Sequence, residues 1–256
     1  MTQPKKLPLE RNLEAYKDIE LTQEEIDAAM AEAMLMARQR KSAELKQQEY
    51  AKKVFEKKVF EKVTAEQLKQ KFIDSGGILD QFNEEAFWQM ALYFTNDDRC
   101  TLDFKKGLFL FGNVGCGKTS FMHFFKYNQN CSYIVQSARE ITYQYAEHGH
   151  ESIRRYNGLI KFSDTNLSFG QSELGVCFDD IGTEVDKKNY GNQSNVMADI
   201  LLNRYDNHNL LRGKTHITTN LNGNEIELRY GTRVRSRMRE MFNLIVFDKN
   251  SPDRRK

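Results

Sequence analysis

The nine residues "GNVGCGKTS", Gly112 to Ser120, restrict the fold more than any other stretch of the chain. Glycines at 112, 115 and 117 surround one lysine, Lys118, and two hydroxyls, Thr119 and Ser120, follow it. Glycine admits backbone dihedrals closed to other residues, so successive N–H groups can turn inward onto an anion. The spacing is that of a phosphate-binding loop running through Gly112, Asn113, Val114, Gly115, Cys116 and Gly117. In such a loop the lysine reaches the β- and γ-phosphates of ATP, and the hydroxyl of Thr119 holds Mg²⁺. The flanks agree. "KKGLFLF" contains an apolar run, Leu108 to Phe111, that reads as a buried parallel strand. "SFMHFFKYN" reads as a helix whose first turn points its dipole at the phosphates.

From about residue 104 strands and helices alternate. "LFLFG", "CSYIVQ", "GVCFDD", "KTHITTN" and "FNLIVFD" read as strands. Between them lie "AREITYQYAEHG", a looser polar region ending near 173, a long helix near 192–208, and short basic helical segments. The expected fold is therefore α/β, a P-loop NTPase core whose mostly parallel sheet is covered by helices on both faces. Ligands of such sheets sit at the carboxyl ends of the strands.

An α-helical region precedes this core. Residues 1–62 contain no glycine and are rich in strong helix formers. Thr22 stands three residues before Glu25, a capping-box spacing, and Ile26, Met30, Met34 and Ala37 then mark one helical face. In "KKVFEKKVFEK" the pairs Val54–Phe55 and Val59–Phe60 recur every five residues and drift around the helix. From Met36 to Val63 nine Lys/Arg stand against four Asp/Glu, which fits a nucleic-acid surface or a helix awaiting a protein partner equally well. Thr64 is placed to cap "AEQLKQKFIDS" and Asn83 to cap "EEAFWQMALYFT", whose Trp88, Leu92 and Phe94 are expected to pack against the core. The expected division is a helical partner-binding region, 1–80, and an ATPase domain, 81–256.

Composition excludes several classes. The four cysteines include no CxxC pair and no histidine neighbours of zinc-site spacing, which argues against a zinc module. With no recognisable leader, a disulfide-held secreted protein is not expected either. No run of eighteen apolar residues exists, so no spanning helix and a cytoplasmic location are expected. The formal net charge of +2 excludes neither nucleic-acid nor protein partners.

Catalytic candidates follow the loop at regular intervals. In "GVCFDDIGTE", Asp179 and Asp180 close a buried run. Asp179 is assigned to the metal, opposite Thr119, and Asp180 to the attacking water, with Glu184 in reserve as the base. "THITTNLN" places Asn220 just beyond a strand, where its amide could position the water, or it could simply cap the next helix. "RYGTRVRSRMRE" carries five arginines within eleven residues, and those at 233, 235, 237 and 239 cannot share one helical face. At least one is then expected to meet protein or phosphate.

The loop, "CFDDIG", "LLNRYDN", "TTNL" and "RYGTRVRSRM", in this order, resemble the helicase-loader family of AAA+ ATPases, with its DnaC- and DnaI-type replication proteins and the related transposition helper IstB. The resemblance spans roughly residues 85–256. It implies an AAA+ core with Asn220 as a sensor of the terminal phosphate and an arginine finger at Arg237, with Arg233 second. It also implies a sensor arginine in "NSPDRR", at Arg254 or Arg255. DnaI-type loaders carry an amino-terminal zinc module for which this chain offers no ligand set. The resemblance implies an ATP-dependent homo-oligomer that loads or regulates a replicative helicase on single-stranded DNA. An IstB-like regulator of transposition is the alternative, and a small-molecule kinase is disfavoured by the missing lid-arginine pattern. On this reading the amino-terminal helices take the helicase or another protein partner. DNA meets the core near "ESIRRYNGLIKFSD", through Arg154, Arg155 and Lys161.

Overall fold

The computed structural model describes residues 22–59, 63–128, 130–161, 173–184, 187–189 and 192–255. The chain divides into two compact units at Tyr50 and Ala51. Helix α1, Gln23–Val59, begins with the expected box. The Thr22 N–H donates to Glu25 Oε2 at 2.8 Å and the Glu25 N–H donates to Thr22 Oγ1 at 3.4 Å. Ile26, Met30 and Met34 are all exposed on this helix. Of the two bulky pairs, Phe60 lies outside the described residues, as do the side chains of Val54, Phe55 and Val59. No helix among the described residues is long and apolar enough to cross a membrane.

The larger unit is built from α2 Ala65–Asp74, α3 Glu84–Thr95, β1 Gly107–Phe111, α4 Lys118–Phe125, β2 Tyr133–Ser137, α5 Ala138–His148, α6 His150–Arg154, β3 Ile160–Lys161 and β4 Glu173–Ile181. It continues with β5 Lys187–Asn189, β6 Asn192–Ser194, α7 Val196–Asp206, α8 His208–Leu211, β7 Thr215–Thr219, α9 Gly223–Tyr230, α10 Thr232–Met241 and β8 Phe242–Val246. Five strands lie parallel in the order β2-β4-β7-β1-β8, the mostly parallel sheet expected of a P-loop core. The short β3 adds antiparallel to β4, and β5 and β6 pair separately as an antiparallel ribbon. The first strand thus sits between the last two, with Phe111 beside both Thr219 and Val246.

Alternation along each strand feeds two cores, one per face. Leu108, Leu110, Cys177 and Ile245 join α2, α3 and α4 on one face. Val176, Phe178 and Ile217 join α5, α7, α9 and α10 on the other. The first core is dominated by rings: Phe72 lies 4.9 Å from Phe87, 5.4 Å from Phe121 and 5.0 Å from Phe124. Leu92 and Phe94 are buried there as expected, and Trp88 packs at its edge beneath the Arg99 guanidinium. Helix α2 therefore lies in the same unit as the phosphate loop. Thr64 caps it through a full box with Gln67. Asn83 precedes α3, but its side chain serves the turn before it, accepting the Asp80 N–H and donating to the Ile78 carbonyl, each at 2.9 Å.

Among the described residues, the most deeply buried cation is an arginine. Arg204, from "LLNRYDN", is completely buried, and burial pushes its pKa down to about 9, so it remains charged near neutrality. It donates to the carbonyls of Tyr156, Gly158 and Lys214 at 2.6, 2.8 and 3.2 Å and to Thr215 Oγ1 at 2.8 Å. Carbonyl oxygens replace its hydration and tie the 3₁₀ turn after α6 to the start of β7.

Candidate nucleotide site

The phosphate loop leaves β1 at Phe111 and enters α4 at Lys118. Gly115 and Gly117 hold φ values of +80° and +108°, a region that strains any side chain. A Cβ at Gly115 would also collide with the Asp253 carboxylate. Lys118 Nζ donates to the carbonyls of Gly112 at 2.7 Å and Asn113 at 2.9 Å, which fixes an otherwise free ammonium beside the loop. Cys116 is buried beneath it.

Strand β4 does not end at its acidic pair. It runs on to Ile181, and its register against β7 shifts between Phe178 and Ile181. Asp180 sits at that irregularity with φ +54°, one of two described non-glycine residues in the left-handed region. Such a bulge re-aims neighbouring side chains, and local strain of this kind clusters at functional sites. Here it separates the two carboxylates. Thr119 Oγ1 lies 2.9 and 3.1 Å from the Asp179 oxygens, whereas Asp180 lines the open cleft. Thr218, on β7, holds the arrangement: its hydroxyl donates to Asp179 Oδ1 at 2.7 Å and accepts the Asp180 N–H at 2.8 Å.

Burial pushes the Asp179 carboxyl above its usual range, and the Asp180 charge adds to this, against the hydrogen bonds from Thr218 and Thr119. A buried carboxylate beside a hydroxyl, with excess negative charge, is a hard-oxygen donor set that fits Mg²⁺. Thr119 and Asp179 would hold the ion.

The cleft, of 430 Å³, is lined on one side by Val114, Gly115, Gly117, Lys118, Thr119 and Ser120 and across from them by Asp180 and Asn220. Asn220 is exposed just beyond β7. The helix-cap alternative falls to its neighbour Asn222, whose side chain accepts the N–H groups of Asn224 at 2.9 Å and Glu225 at 3.1 Å. Glu184 is placed differently from Asp180. It is buried outside the cleft lining, accepts the Gly182 N–H at 2.7 Å and the Tyr230 hydroxyl, and pairs with Arg229 at 3.4 Å. A carboxylate so engaged ties β4 to α9 and has little capacity left to orient water.

Arg233 and Arg237 stand four residues apart on α10, and neither lines this cleft. Arg237 donates to the Tyr205 hydroxyl at 2.8 Å and lies 3.5 Å from Glu240, while Arg233 is exposed. Arg235 pairs with Glu227. In the expected DNA-facing segment, Arg154 pairs with Glu151 at 3.1 Å and Arg155 lies over Tyr156; the Lys161 side chain is outside the described residues.

Three contributors escaped sequence reasoning. Thr218 is one. Arg139, at the start of α5, lines the cleft because β2 delivers it to the carboxyl edge of the sheet, a place that the strand order alone would have flagged. The turn Gly76–Ile78 is the third, lining the cleft together with Val114 and Arg254.

No family model matches the chain, and no curated protein matches it. Among solved structures it is similar to the DnaC helicase loader, at 19% identity over 68% of this chain and 95% of that one, with a TM-score of 0.45. It is similar to DnaI at 19% identity over 70% and 87%, with a TM-score of 0.45. AMPPCP-bound DnaA from Aquifex aeolicus matches at 15% identity over 77% and 53%, with a TM-score of 0.44.

Proposed function

We propose that the protein is a Mg²⁺-dependent ATPase of DNA replication that loads or regulates a replicative helicase on single-stranded DNA. The observation that carries the enzymatic half is the divergence of Asp179 and Asp180 beside the phosphate loop. One carboxylate meets Thr119 within 3.1 Å and the other faces the cleft with Lys118 and Asn220. Lys118 takes the β- and γ-phosphates, and Thr119 and Asp179 would hold Mg²⁺, which would supply neutralising charge to the phosphate oxygens. Asp180 orients the attacking water and accepts its proton, with Asn220 beside it as a second hydrogen-bonding group. The replication half rests on the ordered motifs that resemble helicase loaders, with DNA met by the core and the helicase by the amino-terminal helices.

One set of measurements tests both halves: ATP binding, ATP turnover, anisotropy of single-stranded and duplex DNA, and helicase pull-down on three proteins. Wild type should bind ATP, hydrolyse it, and bind single-stranded DNA with ATP and more weakly as salt rises. Lys118→Ala should lose ATP and, with it, ATP-dependent DNA binding. Asp180→Ala should keep both while turnover falls at least about a hundredfold. Full turnover by Asp180→Ala would remove it from the mechanism. A cooperative filament on duplex DNA, with no helicase bound, would transfer the protein to the transposition-helper reading.

A further inference from the structure

The carboxyl-terminal segment meets the phosphate loop at Lys249 and again at Arg254. Asn113 Nδ2 donates to the Lys249 carbonyl at 2.8 Å, and the Arg254 N–H donates to the Gly115 carbonyl at 3.0 Å. The Arg254 guanidinium then reaches past the loop. Its Nη2 donates to both oxygens of Asp80, at 2.8 and 2.7 Å, and its Nη1 donates to the Cys116 carbonyl at 2.8 Å and to Ser251 Oγ. The remaining donor, Nε, is buried without a partner among the described residues. A guanidinium has five N–H groups. Both Nη nitrogens are thus engaged with protein groups, at a place where Arg254 lines the cleft.

Asp80 is held just as firmly from its own side. Its Oδ1 accepts the Phe82 N–H at 2.9 Å, and its N–H donates to Asn83. Burial raises the Asp80 carboxyl, but the Phe82 amide and Arg254 outweigh it and keep it below the usual carboxylate range. Asp80 belongs to the turn between α2 and α3, whose Gly76, Gly77 and Ile78 line the same cleft as the phosphate loop. The turn and the loop, which line one cleft, are thus joined through one ion pair between residues 174 positions apart.

We propose that Arg254 is a positioning residue: through Asp80 it straps the phosphate loop to the α2–α3 turn, and it does not touch the terminal phosphate. This rests on the nucleotide-site reading above. A group that touches the γ-phosphate distinguishes ATP from ADP; a strap supports the loop that both nucleotides use. Because the pair is charge-assisted and two-pronged, either partner alone is of little use.

The test compares full-length wild type, Arg254→Ala, Asp80→Ala, the milder Asp80→Asn, and the Asp80→Ala/Arg254→Ala double variant. ADP and ATP affinities are read by fluorescent-nucleotide titration, and amide hydrogen exchange of residues 113–118 is read without nucleotide. Each single variant should weaken ADP and ATP by the same factor, about tenfold, and speed loop exchange. The double variant should be no worse than the worse single one, as coupled partners require. Loss of ATP alone in Arg254→Ala, with Asp80→Ala and Asp80→Asn binding as wild type, would overturn the strap and restore a phosphate contact. Unchanged loop exchange in all variants would overturn it too. If wild type binds neither nucleotide yet the variants speed exchange, the nucleotide reading fails and the strap stands.

Discussion

His216 lies in the middle of the ring cluster, with the Tyr93, Phe94 and Tyr133 centroids 6.3, 5.6 and 4.6 Å away. Its Nδ1 accepts the Leu108 N–H at 3.1 Å, which assigns the proton to Nε2. Burial, with the charge of Arg204 adding to it, pushes the pKa down to about 3. An unfolded chain protonates this imidazole near pH 6.5. Between those values the unfolded state holds a proton that the native state refuses, so stability rises with pH and is lost as pH falls through the window. His216→Asn keeps an acceptor for the Leu108 amide and does not titrate. Between pH 7 and pH 5, urea unfolding should show wild type losing about 2 kcal/mol more than the variant. Equal losses would mean that His216 protonates in the folded protein. Lys118, Thr119 and the acidic pair were legible in the sequence because their chemistry is written in adjacent residues. Thr218 was not: "TTN" holds two threonines, and only the β4 bulge decides which hydroxyl bridges two carboxylates. Arg254 was legible as a site arginine, but its partner lies at the other end of the domain.

At the scale of elements, α2 shows how far the core extends beyond the alternating pattern. Phe72 meets three other rings within 5.4 Å, so Phe72→Ala should cost about 3–5 kcal/mol in denaturant unfolding. A cost below about 1 kcal/mol would mean that α2 contributes little to the larger unit. The same packing decides where a fragment can begin. A chain started at residue 63 keeps Phe72 against Phe87 and Phe121; one started at 80 uncovers both. The parallel strands were legible because each is a short apolar run between breakers. The antiparallel additions were not. "KKN" and "NQS" have no strand pattern, and β5 and β6 exist through pairing with each other. Likewise, the apparent end of β4 at its acidic pair reflects polarity, whereas ladder pairing carries the strand to Ile181.

For the whole molecule, the distribution of arginines bears on assembly. Arg237 lies outside the cleft of its own chain, where an arginine finger could serve only a neighbour. Mixing Arg237→Ala with Lys118→Ala subunits, each inactive alone, should restore hydrolysis at interfaces that pair an intact loop with an intact arginine. If Arg237→Ala alone turns over ATP like wild type, the finger is elsewhere, and Arg233 is next. The sheet order has a separate consequence for how the protein is made. Strand β1 pairs with β7 and β8 alone, so its neighbours are synthesised about a hundred residues after it, roughly 5 to 20 s later at ordinary elongation rates. Until then the nascent chain exposes "GLFLF" with both edges open, and a phosphate loop complete in every residue waits for the two strands that set it in place.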